Sequence, residues 1–480
     1  MEKRRADVAI IGAGTAGLNA RREVERAGKS WVLIEEGPYG TTCARVGCMP
    51  SKLLIAAAEA AHHVHGARRF GVHVRGEVDV NGREVMDRVR SERDRFVGFV
   101  VRATEALPAE ARLHGTARFV GPTTLVVDDH TQVEAGAVVV ATGSAPWVPP
   151  PFDQLEEHVV VNDDVFEWED LPGSVAVVGT GIIGLELGQA LHRLGVKVTF
   201  FNPFEELGPF TDPVIQAKVR AVLDEELDLQ VGIADVEAEA RGDGVEVHWT
   251  RPDGERRRGR FAKVLAAAGR RPNVGRLDLA QAGIELDGRG RPRGWDRLTA
   301  QVGDLPVFLA GDVNEHLPLL HEASDEGRIA GSNAAAWPGP VSAHVRRTPL
   351  VVAFTDPQMA MVGERFADLN PDDIEVGEVS YDDQGRARVM GVNRGLARFY
   401  GSRVGCRLVG AEMFGPRMEH MAHTIAWAIQ QGLQVQQVLE LPFYHPVFEE
   451  GLRTGLRDLG TRLRVTGTCS PESRSDAPGA

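Results

Sequence analysis

Apolar and polar positions in this 480-residue chain fall into two successive alternations of short apolar runs with longer amphipathic stretches, followed by a third region of different texture. The first opens with Ala6 to Ile11, which reads as a buried parallel strand, and continues to a second strand over Trp31 to Glu35. Alanine-rich Leu53 to Val64 predicts a helix, as does Val85 to Ala106, where Arg90, Glu92, Arg93 and Asp94 mark the wet face. Short strands over Gly115 to Val120 and Thr124 to Asp128 lead to the apolar run Ala137 to Gly143. Pro146 and the Pro149-Pro150-Pro151 triplet then interrupt both helix and sheet, which marks a domain boundary.

The second alternation repeats the first. Val175 to Val178 and Val196 to Phe201 are strand-like, Arg241 to Arg260 reads as a surface hairpin, and Lys263 to Gly269 follows. A further strand ends in Gly311-Asp312, and His321 to Gly327 opens a helix with acids in its first turn, as the helix dipole prefers. From about Pro349 the pattern becomes short alternating strands (Val351 to Phe354, Glu378 to Tyr381, Ala397 to Tyr400, Arg407 to Ala411) with a helix over Met418 to Gln431. That texture predicts an antiparallel sheet with helices on one side. The last ordered feature is expected at Pro442 to Glu450, and the residues after Thr466 are too polar to fold alone.

Composition narrows the possibilities. Apolar residues at 43% and charged residues at 25% are those of a globular protein, and 480 residues exceed what one core organises. A net charge of -14 argues against broad nucleic-acid binding, which needs a basic surface to replace phosphate counterions. No apolar run reaches the ~20 residues that cross a bilayer, and Met1 to Arg5 runs straight into a strand without the apolar core of a signal peptide. Small-molecule or protein partners and a cytoplasmic setting are the expectation. Four cysteines are too few for a secreted disulfide framework; Cys406 and Cys469 read as incidental.

Chemistry enters at the ends of the apolar runs. Gly12, Gly14 and Gly17 follow the first strand and open a helix, and Glu35 ends the next strand. Such glycines let the backbone approach a pyrophosphate, the helix N-terminus supplies partial positive charge, and the acid can accept from a ribose hydroxyl. Gly179, Gly181 and Gly184 repeat the turn, and Gly179 to Asn202 spans the same 23 positions as Gly12 to Glu35. Two different dinucleotides are implied. At Asn202 neither an acid nor an arginine is present, but Glu205 and Glu206 follow, so a 2'-phosphate would be repelled and NAD is favoured over NADP.

Cys43 and Cys48 lie five positions apart, just after the first nucleotide unit. A regular helix would hold them roughly 7.5 Å apart, beyond the Cα separation of about 4.4 to 6.8 Å that a disulfide tolerates, so the segment must bend. Spacing alone leaves open two small buried residues; Gly47 and Pro50 supply the bend and the helix restart of a working disulfide. The His62-His63-Val64-His65 run has no cysteine or carboxylate partner at metal spacing and reads as a solvated helix end, so no metal site is assigned.

In order, the glycine turn with Glu35, the Cys43/Cys48 segment with Pro50-Ser51-Lys52, the Ala141-Thr142-Gly143 strand end, the second turn with Glu186, Gly311-Asp312 and the terminal His445-Pro446 with Glu450 resemble the pyridine nucleotide-disulfide oxidoreductase family over nearly the whole chain. The resemblance implies an α/β fold with two Rossmann-like domains, for FAD and NAD(P), and a C-terminal α+β dimerisation domain. Its division would be 1-148 for FAD and the redox disulfide, 149-270 for NAD(P), 271-345 returning to the FAD domain, 346-466 for the interface and 467-480 as a flexible tail. By the same resemblance Cys43 is the interchange thiol and Cys48 the sulfur beside the flavin. His445 of the other subunit is the base, oriented by Glu450, and Lys52 pairs with Glu186 near the flavin ring.

Within the family the likeness is nearest to the dihydrolipoamide dehydrogenase branch, with Ile182 where glutathione reductase-like sequences place a tyrosine. A lipoyl domain of a 2-oxoacid dehydrogenase or glycine cleavage complex is then the expected partner. Reduction of another disulfide, as in glutathione or mercuric reductases, is the alternative, and a non-catalytic flavin-binding redox sensor is the alternative of another class. Arg45 departs from the family's usual asparagine between the cysteines.

Overall fold

The computed structural model describes residues 1–76 and 78–466. The expected tail at 467-480, and Cys469 within it, lie outside the described residues. The first sheet is built on the strand Glu2–Ile11, flanked in parallel by Trp31–Glu35 on one side and Thr131–Val140 on the other. Val8, Ala9 and Ile10 are completely buried, which explains an unbroken apolar run where a half-exposed strand would alternate. The short strand Val307–Leu309 returns to this sheet and pairs in parallel with Thr131–Val140, placing Gly311-Asp312 beside the first glycine turn.

Two helices fix that return. Thr15–Arg26 and Leu320–Ala336 pack backbone against backbone, because a Cβ on Gly327 would lie 2.2 Å from Ala16 O and one on Gly331 2.4 Å from Ala20 O. Only glycine permits that approach.

The second parallel sheet runs in the order Asp228–Val231, Lys197–Asn202, Ser174–Val178, Lys263–Ala266, Val159–Val161. The expected hairpin forms between Gly244–Thr250 and Arg256–Phe261, but a third strand joins it and one face is buried. Three antiparallel strands (Ala234–Arg241, Gly244–Thr250, Arg256–Phe261) cover this sheet and bury Val245, Val247, Trp249 and Phe261 against Phe201. The exposed arginines of Arg256–Phe261 mark the wet face; the dry face is set by the alternation in Val245-Glu246-Val247-His248-Trp249.

The third sheet is wholly antiparallel, in the order Leu350–Ala353, Gln358–Gly363, Leu408–Gly415, Leu396–Ser402, Ile374–Ser380. Met418–Gln430 packs against it, as expected. The chain does not stop ordering at Glu450. A 17-residue helix, Glu450–Thr466, follows and buries Leu452, Leu456, Leu459 and Leu463 against the sheet. Their spacing of four, three and four is helical, and each buried leucine contributes about 1.5–3 kcal/mol. The mixed α/β fold with two dinucleotide-type sheets and a C-terminal α+β unit is as expected. Among the described residues no helix is long and apolar enough to cross a membrane.

Candidate active site

A cleft of about 1960 Å³ runs between the two parallel sheets. Gly12, Gly14, Glu35, Cys43, Cys48, Lys52, Thr142, Gly143, Gly179, Gly181, Glu186, Asn202 and Asp312 all line it. Gly17 and Gly184 do not; each stands behind its turn. A Cβ on Gly17 would lie 1.8 Å from Gly12 O, and one on Gly184 2.2 Å from Gly179 O. The middle glycines differ, since a Cβ on Gly14 or Gly181 would meet nothing and would project into open space. Each is the N-cap of a 12-residue helix whose first amides have no side-chain cap, a cradle shaped for phosphate.

The first cradle fits a dinucleotide in other respects. Glu35 is held at the strand end by the Ala13 amide at 2.7 Å and the Gly37 amide at 2.9 Å. Buried Thr142 Oγ1 has no hydrogen-bond partner in the protein and lies on the cleft wall, as a group awaiting a ligand would. Asp312 Oδ2 accepts from Ser144 Oγ at 2.9 Å, which orients it toward the same cleft.

At the second cradle Asn202 Nδ2 donates to Thr180 Oγ1 at 2.5 Å and to Glu206 O at 3.3 Å. From Phe201 to Val236 the lining includes Glu206 and Asp235 but no lysine or arginine.

Between the cradles lies the cysteine segment. Helix Thr42–Val46 stops and helix Cys48–Gly66 begins, with only Gly47 between them. A Cβ there would sit 3.1 Å from Thr42 O and 3.2 Å from Cys43 Cα, so glycine lets the two cysteine turns fold closely together. Pro50 falls in the first turn of the second helix, where an amide has no partner to lose. Both cysteines are thiols, Cys43 half-buried and Cys48 exposed to the cleft. The hydrogen bond from Cys43 pushes the Cys48 thiol down to about 7, with the Lys52 charge assisting against burial. The same hydrogen bond, followed by burial, pushes Cys43 up. The thiolate therefore resides on Cys48.

Lys52, one turn along from Cys48, places Nζ 2.6 Å from Glu186 Oε2. Glu186 is buried, and its other oxygen accepts from the Phe354 amide at 2.8 Å. Lys52 Nζ also lies 4.5 Å from the centre of the Phe354 ring. The pair ties the cysteine helix to the helix of the second cradle.

His445 and Glu450 are together but elsewhere. His445 Nδ1 lies 2.9 Å from Glu450 Oε1, and Glu450 Oε2 accepts from the Val447 amide at 3.2 Å. Burial pushes the Glu450 carboxyl up, but the hydrogen bonds from His445 and Val447 outweigh it and hold it below the usual value. The His445 side chain is 80% exposed, and neither residue lines the cleft of its own chain.

Sequence reasoning missed Ser144, Asn162 and Arg270, which line the cleft and link its walls. Their only signal was position at strand ends. His62 is half-buried and so less solvated than expected, while His63 and His65 are exposed as a solvated helix end would be. With His192, Arg193, Glu225, Glu226 and Arg394, His62 and His65 line a separate polar pocket, where burial lowers the His62 pKa.

Two dinucleotide cradles joined by a dithiol and backed by a Lys-Glu pair define the class of flavin-dependent disulfide oxidoreductases. The chain belongs to the pyridine nucleotide-disulphide oxidoreductase family, whose model matches residues 6–327, with the family's dimerisation domain at residues 349–455. Its cofactors are accordingly FAD and a pyridine nucleotide. The chain is 30% identical to dihydrolipoyl dehydrogenase from Haloferax volcanii, over 93% of this chain and 94% of that protein. It is 31% identical to dihydrolipoyl dehydrogenase from Thermus scotoductus, over 93% and 95%. The structure of LpdA from Mycobacterium tuberculosis superposes with a TM-score of 0.80 over 95% of this chain and 99% of that one, at 22% identity, an agreement of fold.

Proposed function

We propose that the protein oxidises a dithiol, in the manner of a dihydrolipoyl dehydrogenase, with NAD as the acceptor. The observation that carries this reading is that one cleft joins both glycine cradles through Cys43 and Cys48. FAD, when bound, supplies the coupling of a two-electron thiol reaction to hydride transfer that no side chain performs alone. Gly12, Gly14, Gly17, Glu35, Thr142, Gly143 and Asp312 would hold it, with Lys52 and Glu186 near its ring. Gly179, Gly181, Gly184 and Asn202 would hold NAD, in a lining whose acids repel a 2'-phosphate. The division of the chain at 148, 270, 345 and 466 goes with these roles.

The reading places the exposed His445-Glu450 pair in a homodimer, where His445 of the partner subunit faces Cys43. One substrate thiol gives its proton to that imidazole and attacks Cys43 Sγ. The Cys43-Cys48 bond breaks, and Cys48 leaves as the thiolate its environment favours. The second substrate thiol then displaces Cys43 from the mixed disulfide. The imidazolium protonates the departing Cys43 sulfur, and the imidazole takes the second thiol's proton. The products are a substrate disulfide, a Cys43 thiol, a Cys48 thiolate and an imidazolium, which releases its proton to solvent. Glu450 stabilises the imidazolium and fixes its tautomer, with the other ring nitrogen left for the substrate. A lipoyl domain of a multienzyme complex in the cytoplasm is the partner that fits this chemistry.

Steady-state assays with dihydrolipoamide and NAD, and with glutathione disulfide and NADPH, test the reading. Turnover in the first pair is expected. Turnover only in the second overturns the dithiol assignment.

A further inference from the structure

The carbonyl of Val46 sits at the end of the short helix that carries Cys43, among the acceptors that a helix leaves without an internal partner. It is not left to water. Asn162 Nδ2 donates to Val46 O at 2.9 Å, although Asn162 begins a short helix of the second nucleotide unit, 116 positions away. Val46 and Asn162 are both buried.

The amide's orientation is determined by its surroundings. One Nδ2 hydrogen goes to Val46 O and the other to Asp163 Oδ1 at 2.8 Å, while Arg270 Nη1 donates to Asn162 Oδ1 at 3.3 Å. A flipped amide would set oxygen against a carbonyl and a carboxylate, and nitrogen against a guanidinium.

Arg270 is anchored in turn. Its Nε donates to Ser144 Oγ at 2.8 Å and its Nη2 to Ser144 O at 2.7 Å, and Ser144 Oγ passes a hydrogen bond to Asp312. Strand Arg270–Pro272 pairs with Ser144–Pro146, so the guanidinium stands where the first and second nucleotide units are stitched together. An unbroken chain of hydrogen bonds therefore runs from Asp312, beside the first cradle, to the backbone between Cys43 and Cys48.

We propose that Asn162, oriented by Arg270, is a positioning residue that sets the redox balance between the Cys43-Cys48 pair and the bound flavin by fixing the Val46 carbonyl. The inference rests on the disulfide-exchange reading above. Two-electron reduction of the disulfide, with electrons that NADH would supply by way of bound FAD, takes up one proton, breaks the sulfur-sulfur bond and leaves a Cys43 thiol and a Cys48 thiolate. The two sulfurs separate in that step, and the backbone that carries them is held at Val46. The Val46 contact is present with both cysteines as thiols. On this proposal closing the disulfide weakens the contact, so the contact favours the dithiol and its loss shifts electrons toward the flavin.

The test is anaerobic reduction of the FAD-loaded dimer by NADH, for the native protein, Asn162→Ala, Asn162→Asp and Arg270→Gln. Read-outs are the long-wavelength absorption of thiolate beside flavin, FAD content, and NADH oxidation by an artificial acceptor that takes electrons from flavin directly. Asn162→Ala is expected to lower the dithiol-to-reduced-flavin ratio about fivefold or more, the scale of one buried carbonyl left unpaired. FAD content and the artificial-acceptor rate stay unchanged. Asn162→Asp, which turns an acceptor toward Val46 O, lowers the ratio at least as far. Combining Asn162→Ala with Arg270→Gln adds less than the sum of the two, because both act through one contact.

An unchanged or raised ratio in both Asn162 variants overturns the proposal while the disulfide reading stands. Loss of FAD or of the artificial-acceptor rate in proportion to the ratio overturns it as well, because the role would then be general support of the fold. Absence of the long-wavelength band in the native protein overturns the underlying reading, and this inference with it.

Discussion

Lys52 Nζ and Glu186 Oε2 lie 2.6 Å apart across the junction of the two helices that begin at the cysteine pair and at the second glycine turn. Glu186 is almost fully buried, so its charge depends on this partner and on the Phe354 amide. The ion pair ties the cysteine segment to the second glycine turn.

Removing one partner leaves the other charge stranded. Glu186→Ala is expected to destabilise the protein by about 3 kcal/mol, the low end for a one-sided break of a buried pair, because Lys52 keeps some solvent. Lys52→Met with Glu186→Leu recovers part of this loss, since two apolar groups leave no unpaired charge. Urea unfolding of the FAD-loaded protein measures both. A single variant within about 0.5 kcal/mol of the native protein would contradict the pairing.

The Cys48 thiol, lowered from 9.0 to about 7 by the Cys43 hydrogen bond, gives the reduced protein a defined pH response. Cys48 is thiolate above about 7 and protonated below it. The long-wavelength thiolate band should therefore rise through pH 7, and Cys43→Ala should move its midpoint toward 9. The sign for stability follows from the lowered pKa. This group contributes fully above pH 9, progressively less from 9 to 7, and nothing below. A midpoint unmoved by Cys43→Ala would show that another group sets it.

His445→Ala is expected to slow dithiol oxidation by about 10² to 10⁴-fold, the usual contribution of a positioned base, and to leave flavin reduction by NADH intact. Glu450→Ala should cost less, because it orients the ring without carrying the proton. Mixing His445→Ala and Cys43→Ser subunits should restore activity in hybrid dimers that contain one complete site. If mixed dimers stay inactive, the pair does not work across the subunit boundary.

The glycines of the first turn should separate by variant. Gly14→Ala places its Cβ in open cleft space, so the apoprotein should keep its stability while FAD affinity falls. Gly17→Ala drives a Cβ to 1.8 Å from Gly12 O and should lower folded yield with or without FAD. Thermal unfolding and flavin fluorescence distinguish the two, and equal effects of both variants would remove the distinction between cradle and packing.

Much of this was legible in the residues because the signals are local. An apolar run, a glycine turn and a strand end lie within a dozen positions of one another, so backbone sterics and burial dictate them directly. The bend at Gly47 was readable for the same reason: five positions cannot close a disulfide along one straight helix. The Leu452, Leu456, Leu459 and Leu463 stripe was equally available and was overlooked, because the polar residues around it masked its period. The dry face of the Val245 to Trp249 strand was obscured by the arginines beside it.

Sequence by itself determined the two parallel sheets, the glycine cradles, the cysteine segment and a C-terminal unit of other texture, because each follows from short-range periodicity and backbone geometry. Tertiary structure alone decided that Asn162 grips Val46, that Arg270 reaches Ser144, and that His445 stands outside the cleft of its own chain. Such contacts join residues a hundred or more positions apart, and no period encodes a partner at that distance. Folding brings them together because buried carbonyls and charges must find partners, and the sheets settle which ones are within reach.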